Sequence, residues 1–357
     1  METMEHYIHR QAAVMKDAIE GRAEITAPFV KLFCEAQPDH LYLVGSGTSG
    51  NAVRAAAAFV EKATGVEVVA LSPTSLPEKP FGRPLFVFVS QGGNSTNTLR
   101  AIESMRAYPS IALTGESCCR INEVCANVQM RCEHEYAGPK TMGYTCTIIT
   151  LYLMAMEAAR AVGTLAAQDY EADLALLRDM ANAMDENVRM TEDWYKAHAE
   201  ALKDASTHLV IGIENGRIVA QEGALKLQET ILQPAFGYEF EEFLHGPVCM
   251  FSAAPEGFYL LPPENEADAA RMVKVAQVHS AYAKNVWCVR QGDAAAWDGA
   301  TLTYHAPKAD FLTPFWQILP FQVLSAFLPA ELGTAGKGHQ IIVDLDKAVS
   351  MKYKGIM

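Results

Sequence analysis

Apolar residues recur at helical intervals through the first thirty-odd positions, up to Ala18-Ile19-Glu20-Gly21-Arg22, and predict a leading amphipathic segment over 1–30. The pattern then shortens. Leu41-Tyr42-Leu43-Val44 is an apolar strand that runs into Gly45-Ser46-Gly47-Thr48-Ser49-Gly50, and the alanine-rich stretch 52–62 beyond it predicts a helix. Further strands are predicted at 66–71, at 85–89 and at 111–114, and residues 145–161 read as one long apolar helix. A mostly polar helical stretch from 170 to 202 carries Trp194.

After that stretch the series begins again. His208-Leu209-Val210-Ile211-Gly212 is a strand, Glu214-Asn215-Gly216 a turn and 218–232 a helix, with strands at 258–261 and 285–289 separated by a helix over 267–284. Alternating strands and helices imply mostly parallel sheets covered by helices on both faces. The expected fold is therefore α/β, two tandem three-layer αβα domains. The predicted boundaries are 1–30 for a helical leader, 31–165 for the first domain, 166–200 for a helical connector and 201–357 for a second domain with a C-terminal tail. The halves match in plan rather than in residues.

Composition agrees: 357 residues, half of them hydrophobic and a fifth charged, are ordinary globular material for two domains. Lys and Arg number 29 against 42 Asp and Glu, a net charge of −13 that repels nucleic acid and anionic membranes at long range. An anionic ligand must be captured locally, and no nucleic-acid or membrane partner is expected. Eight cysteines without a Cys-x-x-Cys give no metal-ligand spacing and suit a reducing compartment, so neither metal nor disulfide is expected. The charged start Met1 to Arg10 lacks a signal-peptide core, and no apolar run approaches the roughly 18 residues of a membrane span, so a cytoplasmic location is expected.

The first turn, Gly45-x-Gly47-x-x-Gly50 after a strand, matches a dinucleotide fingerprint, yet the next strand ends Ala70-Leu71-Ser72-Pro73 without the acidic residue that would hold a ribose. The alternative is a single phosphate monoester, bound by the hydroxyls of Ser46, Thr48 and Ser49 and by backbone N–H groups at the helix start. A second hydroxyl-rich turn, Ser90-Gln91-Gly92-Gly93-Asn94-Ser95, follows another strand and favours that alternative. Plain helix capping by these serines is the competing explanation. In the second half, Glu222, Lys226 and Glu229 share one helix face at i, i+4 and i+7, either as an exposed ion pair or as an acid–base group. His245, in Leu244-His245-Gly246-Pro247, has the residue type that moves protons near neutrality, and is equally compatible with a structural role.

Together, Gly45-Ser46-Gly47-Thr48-Ser49, Ser90-Gln91-Gly92-Gly93-Asn94-Ser95, Glu222-Gly223-Ala224-Leu225-Lys226-Leu227-Gln228-Glu229 and Leu244-His245-Gly246-Pro247 resemble, in order and spacing, the isomerase region of glucosamine-6-phosphate synthase and the related fructosamine-6-phosphate deglycases. These are tandem sugar-isomerase (SIS) domain proteins. The leader His6-Tyr7-Ile8-His9-Arg10-Gln11 resembles the segment opening that region. The resemblance implies a phosphate site of Ser46, Thr48, Ser49, Ser90, Gln91, Gly92 and Ser95, with Thr141 from the 135–145 loop. It implies that His245, typically reaching a neighbouring subunit's site, opens the sugar ring, that Glu229 shuttles a proton between C1 and C2, and that Lys226 and Glu222 position and polarise the open chain. A homodimer with shared sites follows from it, and the sequence indicates no metal or organic cofactor.

Three departures qualify these roles. The chain begins Met1-Glu2 without the synthase's glutaminase domain, so it is not expected to take ammonia from glutamine itself. Gly92 stands where the synthase has serine. The synthase's tail lysine, which forms a Schiff base with the ketose, has only Lys347 as an imperfect counterpart in Val343-Asp344-Leu345-Asp346-Lys347-Ala348-Val349-Ser350-Met351-Lys352. The expected activity is deglycase-like: a ketosamine 6-phosphate isomerises and is hydrolysed to aldose 6-phosphate and amine. A glucosamine-6-phosphate isomerase or deaminase, or an isomerising subunit of a transaminase, uses the same residues. A non-catalytic phosphosugar sensor needs the turns but not Glu229 with His245.

Overall fold

Short runs of branched and aromatic residues become the inner strands because both their faces are covered, and Pro84–Val89, His208–Gly212 and Glu256–Leu260 are buried along their whole length. The computed structural model describes residues 3–132 and 134–352. His40–Gly45 (β1), Glu67–Leu71 (β2), Pro84–Val89 (β3), Ser110–Thr114 (β4) and Asn127–Gln129 (β5) form a parallel sheet in the order β2-β1-β3-β4-β5. His208–Gly212 (β6), Ala235–Glu239 (β7), Glu256–Leu260 (β8), Val286–Gly292 (β9), Ala296–Asp298 (β10) and Thr301–His305 (β11) form a second sheet in the order β10-β11-β9-β8-β6-β7. All its pairings are parallel except β10 with β11.

Two compact units result. The N-sheet unit comprises residues 13–136, 142–178 and 339–357; the C-sheet unit comprises 1–12, 137–141 and 179–338. This grouping differs from a linear division into leader, domain, connector and domain. The start of the leader groups with the C sheet, where the buried Gln11 amide donates to Gln322 Oε1 at 2.9 Å. The tail groups with the N sheet, where Thr96 Oγ1 donates to the Ser350 carbonyl at 2.7 Å. The Ala167–Lys203 helix occupies the span read as a connector.

Each unit has its own core. In the N-sheet unit, Tyr42, Val44, Phe86, Phe88 and Ile121 pack together; in the C-sheet unit, Leu209, Ile211, Phe240, Phe243, Tyr259 and Met272 do so. Two segments, Met142–Val162 and Asp310–Leu332, are long and apolar enough by composition to cross a membrane, which the sequence reading did not anticipate. They are 78% and 83% buried inside the protein, as core helices are. The cysteines at the eight positions are free thiols.

Candidate active site

In both sheets the first strand is flanked by the second on one side and the third on the other, β2-β1-β3 and β7-β6-β8. Crossovers leaving such a strand in opposite directions open a crevice at the strands' carboxyl ends, where ligands of open α/β sheets bind. Register brings those ends level, Gly45 beside Val89 and Gly212 beside Leu260.

The N-sheet crevice carries the hydroxyl-rich turns. Gly45 is required because a Cβ there would lie 2.8 Å from the Ser49 backbone, so the Thr48–Thr64 helix starts hard against β1. The helix therefore directs the N–H groups of its first turn into the crevice, with Ser46, Thr48 and Ser49 half-buried around them. Asn97 Nδ2 donates to Ser46 Oγ at 2.8 Å. On the β3 side Ser90 and Gln91 are buried, Gly92 is exposed, and Ser90 Oγ lies 3.3 Å from Ser95 Oγ. Glu135, which sequence reasoning did not single out, is buried behind them: its carboxylate accepts from Gln91 Nε2 at 3.2 Å and from the Gly143 amide at 3.0 Å. Thr141 is fully buried and grouped with the C-sheet unit, its carbonyl accepting from Gln322 Nε2.

The tail reaches this crevice at a residue other than the expected one. Lys347 sits in an exposed ion pair with Asp344 at 3.6 Å, on the Lys337–Val349 helix, none of whose residues is buried. Beyond that helix, Lys352 forms an antiparallel bridge with Ser95, Thr96 N donates to the Met351 carbonyl at 3.2 Å, and Asp346 fixes the Lys352 amide at 2.8 Å.

In the C-sheet unit the Gly216–Thr230 helix follows β6 and buries both Glu222 and Lys226. Lys226 Nζ lies 2.5 Å from Glu229 Oε2 and 3.6 Å from Glu222 Oε1. An ammonium removed from water must be compensated, and two carboxylates one helical turn either side do this. Of the three side chains only Glu229 reaches solvent, 35% exposed. Its carboxylate is oriented by a buried cation and presents its outer face to solvent. His245 caps the Phe240–Leu244 helix on an exposed turn outside this cluster. Its Nδ1 donates to the Glu241 carbonyl at 2.8 Å, which fixes the orientation of the ring.

No family model matches the chain. It is 25% identical over 353 residues to the isomerizing glutamine–fructose-6-phosphate aminotransferase of Corynebacterium diphtheriae, an alignment covering 92% of this chain and 55% of that relative. It is 28% identical over 305 residues to the enzyme of the same name from Oceanobacillus iheyensis, covering 81% and 48%. The chain thus spans about half the length of these relatives. The C-terminal domain of glucosamine-fructose-6-phosphate aminotransferase from Francisella tularensis superposes with a TM-score of 0.81 at 19% identity, over 92% of this chain and 96% of that one. Glucosamine-6-phosphate deaminase from Thermotoga maritima superposes with a TM-score of 0.66 at 17% identity, over 89% and 95%. At these identities the superpositions establish the fold.

Fold and strand order together define an α/β protein that shares its fold with solved phosphosugar isomerases. Within that fold the chain is similar, over about half of their length, to the isomerizing glutamine–fructose-6-phosphate aminotransferases.

Proposed function

We propose that the protein is a phosphosugar isomerase of deglycase type, converting a ketosamine 6-phosphate and water into an aldose 6-phosphate and a free amine. The observation that carries this reading is the buried Lys226 clasped by Glu222 and Glu229, with Glu229 alone open to solvent. A protein that only sensed phosphosugars would need the phosphate turns but not a buried ammonium spent on orienting a carboxylate.

The assigned roles follow. The Ser46–Ser49 and Ser90–Ser95 turns hold the phosphate dianion, and His245 protonates the ring oxygen as the ring opens. Glu229 takes the C1 proton of the open-chain ketosamine and returns it at C2, while the amine N–H proton passes by way of solvent to the C2 oxygen, giving an aldimine with a C2 hydroxyl. Water hydrolyses the aldimine, breaking the C1–N bond and releasing the amine. General acid–base steps of this kind contribute about 10²–10⁴-fold each. Lys352 replaces Lys347 as the tail amine to test for imine formation with a keto substrate, because it is Lys352 that bridges Ser95. The exposure of His245 suits service to a second subunit, and a homodimer is part of the proposal.

Purified protein incubated with fructosyl-amino-acid 6-phosphates, and separately with glucosamine 6-phosphate, tests it by release of sugar phosphate and amine. Turnover that disappears in Glu229→Gln supports the reading. Saturable binding without turnover of either substrate makes the protein a sensor instead.

A further inference from the structure

The C-sheet crevice, between the carboxyl ends of β6 and β8, repeats the topology of the phosphate crevice with the opposite chemistry. Where β1 leads into glycine and hydroxyls, β6 leads into Glu214 and Asn215, with Glu214 in the left-handed region at φ +54°. Glu264 follows β8, and its Oε2 accepts the Asp310 backbone N–H at 2.8 Å, which anchors Asp310 beside the turn. The Asp310 carboxyl faces the Asn215 N–H and the Glu214 carboxylate. Glu214 and Glu264 are both exposed at the mouth.

The floor supplies an independent observation. Gln317 is fully buried, and its Nε2 donates to the Leu261 carbonyl at 3.0 Å, which fixes the amide's orientation. Its Oε1 is left without a donor and is aimed at the turn, 3.1 Å from where a Cβ on Gly216 would stand. Asp310 Oδ1 is likewise buried without a hydrogen-bond partner. Buried acceptors are nearly always satisfied, so two at one turn call for a donor.

We propose that this crevice binds the ammonium group of a small primary amine, held by Gln317 Oε1 and Asp310 Oδ1 at the floor and by Glu214 and Glu264 at the mouth. An anion is excluded by the three carboxylates. A bare metal ion fits poorly, because among the described residues the group with ligand atoms all within 4.8 Å of one another is Glu5, His9 and Glu192, elsewhere on this unit. An ammonium supplies three N–H donors and the positive charge that a water lacks. Burial first, and then the negative charge of Glu214 and of Glu264, push the Asp310 carboxyl up to about 7. A bound cation reverses that effect, so binding near neutral pH releases a proton from Asp310. The site stands on its own residues and does not depend on the proposed reaction.

Calorimetric titration of the full chain with methylammonium chloride at constant ionic strength tests it, with tetramethylammonium and potassium chlorides as comparators. Buffers of different ionisation heat count the protons released. The expected result is saturable binding of methylammonium with proton release, no binding of tetramethylammonium, which has no N–H, and weaker binding of potassium. Glu214→Gln, an exposed change that leaves the core untouched, weakens methylammonium binding about tenfold, and Gln317→Leu weakens it at least as much. Absence of saturable binding, equal binding of all three cations, or indifference to Glu214→Gln overturns the proposal.

Discussion

The two crevices are built alike and furnished differently. Each lies beside a central strand that ends in glycine, Gly45 or Gly212, where a side chain would collide with the start of the following helix. The N-sheet crevice is lined by serine, threonine and glutamine, the C-sheet crevice by glutamate, aspartate and glutamine, and in each the glutamine, Gln91 or Gln317, has a buried Oε1 without a hydrogen-bond partner. The helices leaving them differ too: the one after β1 buries Ala52, Ala55 and Ala56, the one after β6 buries Glu222 and Lys226. Strand order decides where a crevice opens, and a handful of side chains decide the charge it accepts.

The comparison breaks hardest at Glu229. Replacement by Gln keeps the shape and removes the proton acceptor, so kcat in the proposed reaction falls about 10²–10⁴-fold with little change in KM. Phosphate binding at the N-sheet crevice stays as it was. A variant with unchanged kcat would move the acid–base chemistry elsewhere.

The shared architecture is tested by one alanine in each crevice. A Cβ at Gly212 would lie 2.2 Å from the Gly216 carbonyl oxygen, against 2.8 Å from the Ser49 backbone for Gly45. Backbone cannot yield as a flexible side chain does, so Gly212→Ala destabilises the protein by about 1–3 kcal/mol and Gly45→Ala by less, read as urea midpoints. The reverse order would mean that the two strand-to-helix junctions are not equivalent.

Smaller changes sharpen the chemical contrast. Ser90→Ala removes a buried hydroxyl beside Ser95 and weakens glucose 6-phosphate binding about tenfold. A Cβ on Gly92 meets nothing within 4 Å, so Gly92→Ser adds a hydroxyl without strain and tightens the same ligand a few-fold. Neither change alters the methylammonium titration. Both constants come from calorimetry, and coupling between the two titrations would show that the crevices are not independent.

Most of this contrast was legible only in part from the chain. β1, β3, β4, β6, β8 and β9 show as apolar runs stopped by turn residues, because burial on both faces demands it. β7 hides, since Ala235-Phe236-Gly237-Tyr238-Glu239 is an edge strand with a glycine at its centre. β11 was readable by alternation, with Leu302 and Tyr304 buried between polar neighbours, but belonged to no expected element. The Glu222, Lys226 and Glu229 face is local, so helical spacing reveals it. Asp310 and Gln317 stand far along the chain from the Glu214 turn, and only the fold brings them to it. The same holds for Lys352, whose place depends on hydrogen bonds between the tail and Thr96.

The finest difference lies at the opposite ends of the two central strands. Both open with histidine. His40 is partly exposed, with Asp39 at 2.7 Å and Glu67 at 3.3 Å, whereas His208 is fully buried, with Glu256 Oε2 and Gln233 Oε1 each at 2.7 Å from its two ring nitrogens. Burial opposes a charge on His208, but the Glu256 carboxylate and then Gln233 outweigh it, and its pKa is raised above the ordinary value. A raised folded pKa means that the folded state holds the proton more tightly. The stabilisation is complete below the unfolded value of about 6.5 and is lost as pH rises through the folded value. Asp310, raised to about 7, acts with the same sign in a lower window, so the measurement belongs in an Asp310→Asn background. There, the urea midpoint of the C-sheet unit falls as pH rises above about 6.5, while His208→Gln is less stable throughout and flat over that range. A slope that survives His208→Gln would assign the titration to a group other than His208.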